Sequence, residues 1–227
     1  MPVYKKVNKN FFKKWTNEMS YVLGFFAADG YITVNRRGGQ FWCIQITDKE
    51  LLESIKKVIG SDHKISIKIS KKVNEKISYR LQIGSIEMCN DLRKIGFSEN
   101  KTKSLVIPYI PKKYFPDFVR GYFDGDGNVW MGNMHKERLI KTNSLLVYFT
   151  SCSYKFLSEL KTRLNMHGLS GGSIYKSKKH DFCRLQFSTL DSLKLYDFMY
   201  NRDTNLLNGL FLERKKKVFQ KFVRLRL

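Results

Sequence analysis

The sequence predicts an α+β fold with two pseudo-symmetric halves of element order αββαββα, whose antiparallel sheets together form one saddle. An apolar helical pattern that runs into Asp-Gly occurs twice, over 21–33 and over 118–130. The correspondence continues downstream, because 48–57 (DKELLESIKK) resembles 153–162 (SYKFLSELKT). Two repeats of this length are too few for a solenoid and indicate a pseudo-twofold pair within one chain.

The elements of the N-terminal half follow from periodicity and helix caps. The first helix is predicted to begin near Thr16 or Asn17, either of which could cap it. Arg37-Gly-Gly indicates a hairpin, and the residues after it have apolar side chains at helical spacing. The predicted order is a helix ending before Gly30, strands over 31–37 and 40–47, a helix over 48–60, strands over 64–70 and 76–83, and a helix over 86–96.

Alternation of apolar and polar residues is cleanest in the second pair of strands. This pattern is typical of a sheet with one face on the core and the other exposed. We expect the outer face to be long, polar and basic. The inner face is expected to bury Ile65, Ile67, Ile69, Ile77, Tyr79, Leu81 and Ile83.

Prolines mark the boundary between the halves. Pro108, Pro111 and Pro116 fall between two helical patterns and indicate a linker. The predicted division is an N-terminal half over 1–107, a linker over 108–117 and a C-terminal half over 118–227. The second half repeats the element order of the first, with Arg184-Leu-Gln-Phe matching Arg80-Leu-Gln-Ile.

Each copy of the repeated motif has small residues four positions apart, Gly24 with Ala28 and Gly121 with Gly125. Such faces let two helix backbones approach closely, because no side chain holds them apart. We therefore expect the two motif helices to lie side by side on the pseudo-twofold axis.

Two aspartates, Asp29 and Asp126, then emerge together at one end of the helix pair. They repel each other, and each lies at a helix C-terminus, where the macrodipole disfavours negative charge. A divalent cation resolves both problems, and hard oxygen ligands suit Mg²⁺, which also binds phosphate. For one copy alone, Asp-Gly after an apolar run is an ordinary helix stop. Two copies favour a metal site.

An EF-hand calcium loop is another interpretation of Asp124-Gly-Asp-Gly-Asn. That loop requires Gly at its sixth position, where this sequence has Val129. The first copy of the motif also has Ala27 in place of Asp124. The EF-hand interpretation is therefore rejected.

The composition indicates a folded protein with a polyanionic partner. The 227 residues include 42 Lys and Arg against 20 Asp and Glu, for a formal net charge of +22. Nucleic acid is favoured over a membrane surface as the partner. Apolar residues at 42% and aromatic residues at 14% exclude a basic disordered tail.

The cysteines and the chain start indicate an intracellular setting. Cys43, Cys89, Cys152 and Cys183 are scattered without zinc-ligand spacing, and we expect reduced core residues. No apolar run has the length of a membrane span, and the start lacks the features of a secretory signal. We expect the cytoplasm or nucleoid of a bacterium or phage host, or an organelle matrix.

The two motifs, VLGFFAADG at 22–30 and VRGYFDGDG at 119–127, resemble those of LAGLIDADG homing endonucleases in the single-chain form with two motifs. The first motif departs from the family pattern at Leu23 and Ala27. Both keep the acidic residue before the final Gly, as Asp29 and Asp126. Through the repeat, the resemblance extends over nearly the whole chain.

The resemblance implies a metal-dependent nuclease that cuts both DNA strands across the minor groove. Asp29 and Asp126 would hold two or three divalent ions, helped by the carbonyls of Ala28 and Gly125. The expected ion is Mg²⁺, with Mn²⁺ substituting for it and Ca²⁺ binding without cleavage. These ions would activate water and stabilise the charge that develops on the phosphate.

Two lysines and two polar residues also match family positions. Lys101 and Lys215 match the basic residue near the scissile phosphate, where a cation offsets developing charge. Both could instead be phosphate anchors or solvated helix residues. Asp48 and Ser153 occupy the variable polar position near the attacking water.

The outer sheet faces have side chains suited to reading DNA. An antiparallel ribbon can enter the major groove and present alternate residues to base edges. The other interpretation is an ordinary solvated sheet face, but two such faces with a net charge of +22 favour DNA. The predicted DNA-binding residues are Thr33, Asn35, Arg37, Gln45, Lys64, Ser66, Lys68, Arg80, Gln82, Arg184 and Gln186.

Two functional hypotheses follow. The first is a site-specific homing-type endonuclease that binds a long asymmetric double-stranded target as a monomer, since the two halves differ in loops and face residues. The second is an intron RNA splicing factor, or a regulator that binds DNA without cleavage, on the same scaffold. Retention of both Asp29 and Asp126 favours the nuclease.

Overall fold

A computed structural model of the protein describes residues 5–69, 76–134, 143–201 and 208–226. The N-terminal half comprises α1 (Asn17–Asp29), β1 (Gly30–Val34), β2 (Gln40–Ile46), α2 (Lys49–Val58), β3 (Ser66–Lys68), β4 (Ser78–Gly84), α3 (Ile86–Ile95) and α4 (Lys101–Ser104). The C-terminal half comprises α5 (Phe115–Asp126), β5 (Gly127–Asn133), β6 (Asn143–Ser151), α6 (Tyr154–Asn165), β7 (Ser173–Lys176), β8 (Cys183–Phe187), α7 (Thr189–Tyr200) and α8 (Glu213–Arg224).

Two four-stranded antiparallel sheets confirm the predicted α+β class and its internal symmetry. Their strand orders are β1-β2-β4-β3 and β5-β6-β8-β7, so each strand of one sheet has a counterpart in the other. In each half, helices cover one face of the sheet, and the motif helices α1 and α5 pack against each other between the halves. The fold thus pairs two copies of one unit.

Helix ends lie where the sequence provides caps. Thr16 precedes α1, and its hydroxyl accepts a hydrogen bond from the Met19 amide at 3.0 Å. Ser85 caps α3 in the same way, and Gly96 ends that helix in the left-handed conformation with a φ of 120°. Side-chain oxygens at the N-cap and glycine after the C-terminus satisfy the free backbone groups at these ends.

The close approach of α1 and α5 depends on glycine. A Cβ atom at Gly24 would lie 2.0 Å from the Phe118 carbonyl oxygen, and one at Gly121 would lie 2.0 Å from that of Tyr21. No side chain fits at either distance, so the two backbones are in direct contact. The small-residue face predicted from the sequence is confirmed.

The helix α5 begins inside the predicted linker, at Phe115 rather than after residue 117. Pro116 lies in its first turn, where a missing N–H costs no hydrogen bond and the fixed φ suits a helix. Proline therefore marks a helix start here. The linker between regular elements is correspondingly shorter.

The predicted burial of alternate isoleucines is wrong at one end of the N-terminal sheet. Leu81 and Ile83 are fully buried, but Ile67, Ile69 and Ile77 are exposed. The reason is position, because β3 is the edge strand and the helices α2 and α3 pack on β4 and β2 instead. The strand β3 also has only three residues, and the end of its predicted range, residue 70, lies outside the described residues.

Cysteine placement agrees with the sequence for three of the four residues. Cys43, Cys89 and Cys183 are buried, Cys152 is exposed, and all four are free thiols. Cys152 was expected in the core, but it lies just after the end of β6, where the chain turns towards α6. Among the described helices, none is long and apolar enough to cross a lipid bilayer.

Candidate active site

The structure brings Asp29 and Asp126 together at one end of the helix pair. Asp29 is the last residue of α1, and Asp126 is the last residue of α5. A Cβ atom at Gly125 would lie 3.0 Å from the Asp29 carboxylate oxygen and 2.4 Å from the Cβ of Ala28. The absence of a side chain at Gly125 therefore leaves the space in which the Asp29 carboxylate lies beside α5.

Both carboxylates are in surroundings that oppose negative charge. Burial, with the nearby carboxylate of Asp126 next, raises the pKa of Asp29 to about 6. Burial also raises the pKa of Asp126. Lys101 and Lys215 act in the opposite direction on both groups. A bound cation would favour the ionised form of the pair.

The two lysines bind the C-terminal ends of the motif helices. Lys101 is 8% exposed, and its ammonium donates a hydrogen bond to the Ala27 carbonyl at 2.7 Å. Lys215 is 5% exposed and donates to three carbonyls, those of Phe123 (2.7 Å), Asp124 (2.8 Å) and Gly127 (2.6 Å). The Phe123 carbonyl also accepts a hydrogen bond from the Gly127 amide, and the positive charge of each lysine complements the dipole at the helix C-terminus.

The geometry corrects one interpretation of the lysines. Neither is a solvated helix residue, because both ammonium groups are directed inward at the site rather than at bulk water. Burial lowers the pKa of each to about 8. Asp126 and Asp29 oppose that shift at Lys101, and Asp124 opposes it most at Lys215. At neutral pH both remain mainly charged. The sequence matched them as a pair but contained no signal for their burial.

The donor set suits a hard divalent cation that keeps water. Within the described parts of the chain, no cluster of three or more His, Cys, Asp or Glu side chains could hold a metal. The pair offers two carboxylates, and the adjacent carbonyls of Ala28 and Gly125 are further oxygen donors. Such a set, completed by water and phosphate, fits Mg²⁺ better than a closed zinc site.

Asp124 lies outside this donor set, in agreement with rejection of the EF-hand. It is 1% exposed and directed into the core. Its carboxylate accepts hydrogen bonds from the Tyr21 hydroxyl at 2.7 Å and the Leu212 amide at 3.0 Å. Its role is to hold these groups rather than to bind a metal.

The positions of Asp48 and Ser153 differ between the halves. Asp48 contributes to the raised pKa of Asp29 and pairs with Arg214 of the other half at 3.2 Å. Ser153 is buried, caps α6 and donates its hydroxyl proton to the Leu105 carbonyl at 2.7 Å. Of these two positions, Asp48 is therefore the more open one, and Ser153 is occupied in capping α6.

Register places most of the predicted DNA-binding residues of the N-terminal half on one outer face. Gln45 lies opposite Arg80, which in turn lies opposite Ser66, while Gln82 lies opposite Cys43. Lys68 lies on the same face, opposite Ser78. Thr33 of β1 also lies on this face, opposite Phe41 of β2. Lys64 precedes β3 and lines a surface pocket with Ser66 and Gln82.

Two predicted residues lie elsewhere. The strand β1 ends at Val34, so Asn35 and Arg37 belong to the turn. The Asn35 side-chain oxygen accepts hydrogen bonds from the amides of Arg37 (3.0 Å) and Gly39 (2.8 Å). Asn35 is thus a turn-forming residue, because a short amide side chain satisfies the hairpin backbone. Arg37 is exposed at the hairpin tip.

In the C-terminal sheet, Arg184 and Gln186 lie on the matching outer face. Arg184 is opposite Thr150 and Tyr175, and Gln186 is opposite Tyr148 and Ser173. This register shows which residues of β7 share the outer face, namely Ser173 and Tyr175, a point that the sequence left ambiguous. Sequence analysis also missed Asn128, Trp130 and Tyr148 on this face. The spacing of Asn128 and Trp130 after Asp126 repeats that of Tyr31 and Thr33 after Asp29 and could have identified these two residues.

The chain is similar to proteins of one known family. A family model described as LAGLIDADG-like domain matches residues 16–96. The structure is similar to the I-SmaMI LAGLIDADG homing endonuclease bound to cleaved DNA, with a TM-score of 0.57, 16% identity, and coverage of 93% of this chain and 88% of that chain. It is also similar to I-LtrWI bound to target DNA, with a TM-score of 0.54, 17% identity, and coverage of 96% and 90%. No curated protein sequence matches the chain.

Proposed function

Because residues 16–96 match the LAGLIDADG-like domain and the chain has the LAGLIDADG homing endonuclease fold, we propose that it is a site-specific double-strand DNA endonuclease. The observation that carries the proposal is the aspartate pair. Asp29 and Asp126 meet at the ends of two helices in direct contact, between two buried lysines and beside two polar sheet faces. Ordinary helix ends do not need such an arrangement.

Double-stranded DNA is the partner that the outer faces fit. A net charge of +22 supplies the sequence-independent attraction to phosphate. Arg80, Gln82, Arg184 and Gln186 present donors and acceptors in rows that an antiparallel ribbon can place in the major groove. Since both sheets lie in one chain and differ in residues, we expect a monomer that binds a long asymmetric target.

The chemistry requires divalent ions, which Asp29 and Asp126 would hold with the carbonyls of Ala28 and Gly125. Bound Mg²⁺ would supply activated water and charge stabilisation at the phosphate. The chain itself supplies rigidity, because helix contact at Gly24 and Gly121 determines how the two carboxylates lie relative to each other. Lys101 and Lys215 retain positive charge beside them and hold the helix ends in place.

The test is selection of cleaved sequences from a random DNA library in Mg²⁺. The chain is compared with Asp29→Asn and Asp126→Asn, which remove a charge without changing shape. We expect double-strand cuts at one asymmetric site, and a loss of at least about 100-fold in either variant. Binding of the site in Ca²⁺ should persist in both. Asp62→Asn, at an exposed position, is the matched control.

Specific binding of DNA without cleavage by the unchanged chain would overturn the catalytic proposal. It would favour the regulator hypothesis instead. Binding of structured RNA without a preference for any duplex DNA would favour the splicing hypothesis. Cutting that survives in Asp29→Asn and Asp126→Asn alike would show that the aspartate pair is not the active site.

A further inference from the structure

The outer face of the C-terminal sheet contains a pocket of mixed polar and apolar lining. Trp130 lies directly opposite Leu146, and Asn128 lies directly opposite Tyr148. These residues line a cavity of about 420 Å³ whose other lining residues are Asn133, Met134, Thr150 and Arg184. The pocket is continuous with the face on which Arg184 and Gln186 lie.

The backbone is built to accommodate this pocket. A Cβ atom at Gly132 would lie 2.6 Å from the Trp130 indole, so the ring lies along the strand only because that position has no side chain. Trp130 remains 39% exposed, whereas Leu146 is only 6% exposed although it is on the outer face. An exposed tryptophan above a buried leucine forms an apolar floor within a polar, cationic surface.

The N-terminal sheet has a different arrangement at the equivalent positions. There Thr33 lies opposite Phe41, and Tyr31 lies opposite Cys43. Thr33 therefore stands where the other half has Trp130. Cys43, the partner of Tyr31 across the strands, is fully buried. Tyr31 thus covers this position in one half, whereas the short Asn128 leaves it open in the other.

Building on the proposed function, we propose that this pocket receives the C5 methyl group of a thymine in the major groove. Thymine is the one standard base that presents an apolar group there, and aromatic or aliphatic side chains contact it. Asn128 and Thr150 at the rim can hydrogen bond to the edge of the same base or its neighbour. Arg184 supplies positive charge for DNA at this point. The half-site read by the C-terminal sheet should therefore require a thymine.

Replacement of thymine by deoxyuridine tests this directly, because it removes only the methyl group. Each thymine of the selected duplex is replaced singly, and the dissociation constant is measured in Ca²⁺ with the unchanged protein. We expect one position at which deoxyuridine weakens binding about fourfold, the effect of one buried methyl group. Thymines read by the N-terminal sheet should tolerate the change.

Variants assign that position to the pocket. Trp130→Thr installs the residue of the N-terminal half. In this variant the dissociation constants of the deoxyuridine duplex and the thymine duplex should have a ratio of about one. Leu146→Ala, which deepens the floor, should also reduce the ratio. Tyr109→Ala, a change of an exposed aromatic residue in the segment between α4 and α5, should leave it unchanged.

The outcomes separate this inference from the proposed function. Specific cleavage with no position sensitive to the methyl group, or sensitivity that persists in Trp130→Thr, overturns the inference and leaves the nuclease intact. A selected target in which no position is restricted to thymine would likewise overturn the inference and leave the nuclease intact. Failure to bind any duplex specifically overturns the proposed function, and the inference with it.

Discussion

The two halves share one topology but support their motif helices with different chemistry. In the C-terminal half, Arg120 and Asp117 form a fully buried ion pair at 2.9 Å. The equivalent positions of α1 are Leu23 and Ser20. Arg120 also donates hydrogen bonds to the carbonyls of Leu210 (3.1 Å) and Met199 (3.0 Å). One half thus contains a buried charged network where the other has an apolar side chain and a serine.

The difference follows from the length of one connection. In the N-terminal half, the chain passes from α3 to α4 within a few residues, and Gly96 suffices to end the helix. In the C-terminal half, α7 ends at Tyr200 and α8 begins only at Glu213. Arg120 holds carbonyls from both ends of that connection, and Asp124 holds the Leu212 amide. Buried charge is therefore used where backbone groups need partners.

The largest expected effect is that of Arg120→Leu, which gives α5 the residue of α1. The change leaves Asp117 without this ion pair and two buried carbonyls without their donor, so we expect stability to fall by about 3–5 kcal/mol. Urea unfolding measures it. The control, Leu23→Met in α1, keeps volume and should cost less than about 1.5 kcal/mol. Equal effects of the two changes would contradict the comparison.

The lysines offer a second comparison. Burial lowers the pKa of both to about 8, so Lys→Met relieves a similar burial cost in each half. Lys215 holds three carbonyls, whereas Lys101 holds the Ala27 carbonyl closely and that of Ala28 only at 3.4 Å. Lys215→Met should therefore be about 2 kcal/mol more destabilising than Lys101→Met in urea unfolding. The reverse order would show that these hydrogen bonds do not support the helix ends.

The pH dependence of the metal-free protein compares the two aspartates. Burial and Asp126 raise the pKa of Asp29 to about 6 from an ordinary 3.8. Between those values the folded state holds a proton that the unfolded state has lost, so stability falls as pH rises from about 4 to about 6. Relative to Asp29→Asn, the unchanged protein should lose about 1–2 kcal/mol over this range, allowing for partial solvation.

Asp126→Asn is the matched measurement in the other half. It should also reduce the slope, because burial raises the pKa of Asp126 itself and because the Asp126 carboxylate contributes to the raised pKa of Asp29. Urea unfolding at intervals of half a pH unit, with chelator present, measures both slopes. A stability that rises between pH 4 and 6 relative to Asp29→Asn would contradict the assignment.

The smallest effect on stability concerns Asp48. Its ion pair with Arg214 is largely exposed, so Asp48→Ser should change stability by less than about 1 kcal/mol. The change gives the N-terminal half the residue of the other half. It should slow cleavage of one DNA strand about tenfold, because loss of a positioned acid or base costs at least that much. Nicked plasmid should then accumulate, and equal slowing of both strands would contradict a role in one half.

Local patterns sufficed for much of the fold. The spacing of apolar residues and the capping residues predicted the helices, and Arg37-Gly-Gly predicted the hairpin. The internal repeat predicted two equivalent sheets. Small residues at Gly24 and Gly121 predicted the helix contact and, with it, the meeting of Asp29 and Asp126. These features are determined by neighbours in sequence, or by a symmetry that the sequence itself displays.

The tertiary structure decided what depends on neighbours distant in sequence. Ile67 and Ile77 alternate correctly, but they are exposed because the described helices α2 and α3 pack on β4 and β2 rather than on the edge strand. From the sequence, Lys215 is the first of three consecutive lysines that would be expected on the surface. In the structure it is buried, because its ammonium donates a hydrogen bond to the Phe123 carbonyl near the end of α5. The pocket at Trp130 exists because register sets it opposite Leu146. The sequence by itself determined the elements, their repeat and the aspartate pair, whereas burial and side-chain partners were decided only when the elements packed, because both depend on which surfaces meet.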